Sequence, residues 1–250
     1  KLPLCDTNGT QSKTYSYGGA TVTTTRAVYA QRFSYPQPPY TCLKDYQEDS
    51  PAKAADAYCS GAVAAGRKTA AQIIYDAGKA CNVSQKVLLV LLQKEQSLLT
   101  DDWPWPNQYS AATGYGCPDT APCEPEFAGL FNQIYYAARQ YQRYAAQPDL
   151  FGHRKGRDNS VRYSPNAACG SSTVFIQNQA TAGLYNYTPY QPNPAALSNL
   201  YGTGDGCSAY GNRNFWRLYS DWFGSSTTER CNYNTPSGAS VDIRTGRNSP

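Results

Sequence analysis

No apolar run in this chain of 250 residues comes near the roughly 20 residues that a membrane-spanning helix requires. The longest, Val87 to Leu92, is far too short, so the expectation is a soluble chain with no membrane partner. No charged, apolar and small-residue leader opens the sequence, which reads as already processed. Histidine occurs once and no Cys-x-x-Cys pair occurs, which is poor material for zinc or iron–sulfur sites. No metal and no organic cofactor is expected. Clustered positive charge is missing too: 22 Lys and Arg are spread among 18 acidic residues, for a net charge of +4. The one tight basic group, Arg154, Lys155 and Arg157, is read as a solvated loop, and no nucleic-acid partner is expected. The mild positive charge still steers the protein towards anionic surfaces, an effect that salt weakens.

What is present points to an oxidising compartment. Nine cysteines without metal-ligand spacing suit disulfides. The expected pairs are Cys5 with Cys42, Cys59 with Cys81, Cys117 with Cys123 and Cys169 with Cys207, one of many connectivities that eight cysteines allow, and Cys231 is left over. Glycosylation sequons at Asn8, Asn82 and Asn186 agree with a secreted, extracellular glycoprotein. The chain also holds 22 tyrosines. A phenol offers a flat apolar face and a hydroxyl, which suits sugar rings as well as a wet core.

Composition divides the chain into three. Residues 1–50 are rich in Thr, Ser, Tyr and Pro, and Thr14 to Thr23 reads as two short strands around Gly18-Gly19; this is expected to be an N-terminal extension packed on the core. Residues 51–225 turn to alanine and aliphatics. The pattern predicts a short helix from Ala52 to Tyr58, a second from a Thr69 cap to about Ala80 with Ile73, Ile74 and Ala77 on one face, and a third capped by Ser84. Longer helices are predicted over Phe127 to Ala146 and Asn214 to Phe223. Asp101 to Pro125 and Tyr187 to Gly211 are loops dense in Gly, Pro, Asn and Tyr, the kind that carry sites on a helical scaffold. Residues 226–250 read as a linker or tail, whose Ala239 to Gly246 resembles the first strand of SH3-like wall-binding modules. No internal repeat is visible.

The third helix carries an ionisable residue to the end of the greasiest segment. Glu95 shares a face with Leu88, Leu91 and Leu92, while Lys94 falls below Val87, Val90 and Leu91, so periodicity does not choose which of the two points inward. A helix C-terminus is negative and prefers a cation. Together with burial, that end is expected to disfavour the ionised carboxyl, and a carboxyl that keeps its proton near neutral pH can act as a general acid.

Several segments in order, YTCLKDY (Tyr40 to Tyr46), KVLLVLLQKEQSL (Lys86 to Leu98), ATGYGCPDTAPC (Ala112 to Cys123), FNQIYYAARQYQRY (Phe131 to Tyr144), LYNYTPYQPN (Leu184 to Asn193) and GTGDGCSAYGNRNFWRLYSDWFG (Gly202 to Gly224), resemble a family of secreted lysozyme-like muramidases of fungi and filamentous bacteria. Beyond that family the chain resembles goose-type lysozymes and lytic transglycosylases. The resemblance implies a mainly α, α+β lysozyme-like fold with a central buried helix ending at the catalytic glutamate, long Tyr/Gly-rich loops and disulfide staples. It also implies a muramidase that cleaves the β-1,4 bonds between N-acetylmuramic acid and N-acetylglucosamine in bacterial peptidoglycan. Glu95 occupies the position of the acid, and the partner is the glycan strand of the wall, met by a monomer.

Lytic transglycosylases follow their glutamate with serine, whereas this chain has Gln96, so both hydrolysis and anhydro-forming transglycosylation stay open. Hydrolysis needs a water or a second carboxylate. Asp119, in a loop flanked by Cys117 and Cys123, is the candidate, with Asp101 and Asp102 as others; a separation of roughly 6.5–9.5 Å implies inversion and about 5–5.5 Å retention. Tyr115, Tyr187, Tyr190, Asn212 and Trp103 are the expected sugar-lining residues, with Trp105 extending the groove. Two other readings remain. A sugar-binding protein without catalysis fits the tyrosines equally, and a cysteine peptidase or amidase would have to pair Cys231 with His153, expected in an exposed basic loop.

Overall fold

A computed structural model describes residues 2–118 and 121–225. Three antiparallel two-stranded ribbons and eight α-helices alternate along it. The architecture is therefore mixed α+β, which corrects the expectation of a mainly α chain.

The first ribbon pairs β1 (Ser12–Tyr17) with β2 (Ala20–Thr25) around Gly18-Gly19, both glycines at positive φ, as the turn signal predicts. It leads into α1 (Arg26–Arg32), whose first turn is capped by the Thr25 hydroxyl. Lys13, Tyr15 and Tyr17 lie two apart and so share one ribbon face, where Tyr15 and Tyr17 meet Phe33 edge-on. This extension is tied down by Asp6, which is 5% exposed. Its carboxylate accepts the Thr10 and Gln11 backbone N–H groups and pairs with Arg26 at 3.3 Å; Arg26 also reaches Asp102 at 2.8 Å.

The second ribbon, β3 (Gln47–Ser50) with β4 (Gly66–Thr69), delivers the chain to α2 (Ala70–Ala80). Thr69 and Gln72 form a reciprocal capping box there, each satisfying an orphan N–H of the other. Ile73, Ile74 and Ala77 are buried. Next comes α3 (Gln85–Gln96), preceded by Ser84, whose side chain makes no cap hydrogen bond. Leu88, Leu91 and Leu92 of α3 have no exposed surface; Leu88 and Leu92 join α2 and the long helix α5 (Leu130–Ala146) in the main core, built on Ile73, Phe131 and Ile134. Val90, also fully buried, packs instead on Phe215, Leu218 and Tyr219 of α8 (Gly211–Phe223). Burial on two sides explains why α3 is apolar nearly all round.

Between these helices lie α4 (Pro106–Ser110), a third ribbon of β5 (Arg157–Arg162) and β6 (Ser171–Ile176), α6 (Gln179–Tyr187) and α7 (Pro194–Ser198). The sequence reading misses the third ribbon because β5 is polar and β6 gathers Val174, Phe175 and Ile176 at one end, so neither strand shows the apolar alternation that marks a half-buried strand.

The expected helix from Ala52 to Tyr58 does not form. Asp56 Oδ1 accepts the backbone N–H groups of Tyr58 and Cys59 at 2.8 Å, a local turn that competes with helix. Asp56 Oδ2 holds Arg139 of α5, and Lys53 bridges to Val63. The long helix begins at Leu130 rather than Phe127, since Pro125–Phe127 forms a separate 3-10 turn and Gly129 takes φ 96°. All four expected disulfides are present. They show a disulfide-bonded protein, which fits an oxidising compartment. Among the described residues no helix is long and apolar enough to cross a membrane. The expected tail at 226–250, with Cys231, lies outside the described residues.

Candidate active site

Glu95 is the penultimate residue of α3. The helix is stopped by Ser97 in the left-handed conformation, φ 57°, a position that closes helix ends. The loop that follows is sewn to the helix end by amides. Gln93 Oε1 accepts Leu99 N–H, Gln108 Nε2 donates to Gln96 O at 2.8 Å and to Asp101 Oδ2 at 2.9 Å, and Gln96 Nε2 donates to Ala111 O. This brings the backbone of Gly114 under the carboxyl: a Cβ there would lie 3.9 Å from both Cδ and Oε2 of Glu95. Gly114 takes φ 71°, where glycine is at no steric disadvantage.

A residue that sequence reasoning missed holds that loop. Gln133 of α5, 1% exposed, accepts the N–H groups of Thr113 and Tyr115 on Oε1 and donates from Nε2 to Tyr115 O and Phe127 O. A buried amide with all these partners fixes a loop because any departure leaves polar atoms unpaired. Its only sequence signal is a polar residue at a core-facing position of α5, flanked by the buried Leu130, Ile134 and Ala137.

Two tyrosines back the Thr113 loop. Tyr187 donates its hydroxyl to Thr113 O at 2.8 Å and stacks on Tyr141 with centroids 5.2 Å apart. Both phenols are pushed well above their ordinary pKa, first by burial and also by the negative charge of Glu95. They therefore stay protonated and neutral across the physiological range. Tyr115 stacks on Tyr136 and meets Phe127 edge-on.

Lys94 settles the question that periodicity left open. Its side chain is 7% exposed against 27% for Glu95, and Nζ lies 2.5 Å from Glu95 Oε1 and 3.0 Å from Thr188 Oγ1. The lysine is thus the more buried of the two and supplies a formal positive charge in contact with the carboxylate. This departs from the expected environment of dry surroundings and a negative helix end alone.

The expected lining residues divide. Tyr187 and the Tyr115 loop gather at Glu95. Asn212 presents no free amide N–H: Nδ2 donates to Thr188 O and Tyr190 O, fastening the turn that also receives Lys94. Tyr190 enters through its backbone, as a bridge partner of Arg162. Trp103 is occupied in another cluster, with Tyr29, Tyr40 and Trp105 around it and the Arg26 guanidinium 4.9 Å from its ring. Asp119 lies outside the described residues. Asp102 is paired with Arg26 and Asp101 accepts from Trp103 N–H and Gln108, so both are engaged in holding the loop.

His153 is half-buried rather than exposed. Its backbone is clamped by Asn186, its ring lies 5.7 Å from Tyr185, and burial pulls its pKa below 6.5. A separate cavity of about 270 Å³ opens where the N-terminal segment meets α4, lined by Pro39, Tyr40, Tyr46, Pro104, Pro106 and Tyr109 among others; Glu95 does not line it. No group of three or more His, Cys, Asp and Glu able to hold a metal occurs among the described residues.

No family model, no curated protein and no solved structure matches this chain.

Proposed function

We propose that the protein is a secreted muramidase that hydrolyses β-1,4 bonds between N-acetylmuramic acid and N-acetylglucosamine in peptidoglycan, with Glu95 as general acid. The observation that carries this reading is the partly open Glu95 carboxyl, presented at the end of a helix anchored by the buried Leu88, Val90, Leu91 and Leu92, over a glycine backbone and within the electrostatic reach of two neutral phenols. Around the position a Cβ of Gly114 would take, the Glu95 carboxyl is the group in contact, so a side chain there would crowd it. The buried helix and the Gln133 anchor hold the carboxyl in place, which a proton donor needs if it is to meet a bridging oxygen. The substrate class rests on the resemblance of the motifs quoted above to lysozyme-like muramidases. Lys94 contributes a counter-charge that positions the carboxyl.

Glu95→Gln tests the proposal. Turbidity clearing of a wall suspension should fall by about 100-fold or more, while pull-down on the same walls is retained. Unchanged clearing overturns the acid role. Mass spectrometry of the products separates reducing ends from 1,6-anhydro ends, and with them hydrolase from transglycosylase. A wild-type protein that binds walls without clearing them would favour the non-catalytic sugar-binding reading, in which Glu95→Gln leaves wall binding intact.

A further inference from the structure

The three sequons match the same motif, but their surroundings differ. Asn8 lies in a turn and is exposed. That turn is held from the Asp6 side, by Gly9 N–H on Asp6 O and Thr10 N–H on Asp6 Oδ1. Asn82 follows α2, is exposed, and takes a left-handed φ of 51°; its backbone carbonyl accepts from Gln142. Asn186 sits in the last turn of α6, where Oδ1 accepts His153 N–H at 2.9 Å and Nδ2 donates to His153 O at 2.8 Å. The rest of its sequon is also engaged, through Tyr187 on Thr113 and Thr188 on Lys94.

An amide that bonds both the N–H and the C=O of one residue uses its oxygen and the N–H hydrogen on the same side as that oxygen. Attaching a sugar turns the primary amide into a secondary one, which places its N-substituent on the oxygen side, as in a trans peptide. The opposite isomer is disfavoured. The sugar carbon would therefore replace the hydrogen that His153 O accepts, and the half-buried clamp would have to open to admit it.

We propose that Asn8 and Asn82 are N-glycan attachment sites and that Asn186 is kept bare by its clamp on His153. In the transfer, Asn Nδ2 forms a bond to the anomeric carbon of a lipid diphosphate-linked oligosaccharide. The bond from that carbon to the diphosphate oxygen breaks, the lipid diphosphate leaves with the electron pair, and the nitrogen loses a proton. Nothing is oxidised or reduced. The inference is independent of the role of Glu95.

The test secretes the full chain from a yeast that N-glycosylates, then removes glycans enzymatically in ¹⁸O-water, so that each occupied asparagine becomes a labelled aspartate. Label at Asn8 and Asn82 and none at Asn186 is the expected result. Label at Asn186 in the secreted, disulfide-complete protein overturns the clamp, and an absence of label at Asn8 or at Asn82 overturns that attachment site. Pro189 restricts the backbone of Thr188 and offers another reason for a bare Asn186. Pro189→Ala removes it: Asn186 should stay unlabelled in the secreted variant, and label appearing there would overturn the clamp as the cause.

Discussion

At the N-terminal end of α5, Glu48 accepts the backbone N–H groups of Leu130 and Phe131 and the Tyr46 hydroxyl; at the C-terminal end of α3, Glu95 meets one ammonium and is partly open to solvent. The first carboxylate lies with the helix dipole and caps orphan donors, the second lies against it. Glu48 is consumed by structure. Glu95 has the neighbouring lysine as its counter-charge at the disfavoured helix end and, among the described residues, caps no backbone donor there, and a partly exposed carboxylate not used in capping is a candidate for chemistry. The same residue type thus has two physical roles, set by which end of a helix it faces.

The strongest way to break this comparison is to neutralise each glutamate. Glu95→Gln should remove about 100-fold or more of wall-clearing activity and leave the urea midpoint close to wild type. Glu48→Ala should do the reverse, costing about 2–3 kcal/mol through the lost charge-assisted bonds and dipole interaction, with activity per folded molecule retained. If the two variants lose stability alike and activity alike, the distinction between them fails.

Much of the scaffold is legible because its signals are local. Thr69 and Gln72 stand three apart, Gly18-Gly19 sits between two strand-like runs, and the α3 leucines are contiguous. The unread parts are those decided across long separations. Glu48 caps a helix 83 residues away in sequence, and Arg139 helps to hold Asp56 out of helix across the same separation. Gln133 looks like an ordinary amide until the Thr113 loop closes on it. For the site, the sequence marks Glu95 and the tyrosine-rich loops. It does not say that Trp103 would be captured by Arg26, or that Asn212 would spend its amide on Thr188 and Tyr190, because aromatic and amide side chains suit core and groove equally.

Acid sharpens the comparison by loosening the segment beyond Glu95. Burial alone would raise the Asp6 pKa, but the Gln11 and Thr10 donors and Arg26 outweigh it and hold it below 3.8; Asp56 is held below 3.8 in the same sense, by Arg139 and the Cys59 and Tyr58 N–H groups against burial. A carboxyl whose folded pKa is depressed contributes stability above its unfolded pKa, and loses it as pH falls through the folded value. Melting temperature should therefore drop as pH goes below 3.8. Asp6→Asn should cost about 1–3 kcal/mol at pH 7 and flatten that acid decline, which thermal melts from pH 7 down to the acid limb would record. An unchanged acid limb would remove Asp6 from the account.

A smaller effect is expected at Lys94. Lys94→Met keeps the apolar stem but removes the contacts to Glu95 and Thr188, so the carboxyl loses its fixed position and clearing should fall by about tenfold. Lys94→Arg, still able to reach Glu95, should recover part of it; equal losses in both variants would point to packing rather than charge.

The weakest prediction concerns a helix end without an ionisable cap, and it calibrates the others. At the start of α2, neutral Thr69 accepts the Gln72 N–H on its hydroxyl while Gln72 Oε1 accepts the Thr69 N–H at 2.9 Å. Thr69→Ala removes half of that box and should cost about 1 kcal/mol, read as a shift in the urea midpoint at constant slope. Activity should not change, because α2 contributes apolar packing and no side chain at Glu95. A cost at Glu48 no larger than this one would mean that the α5 carboxylate works as an ordinary cap, its charge adding nothing across the 82 residues that separate it from Leu130.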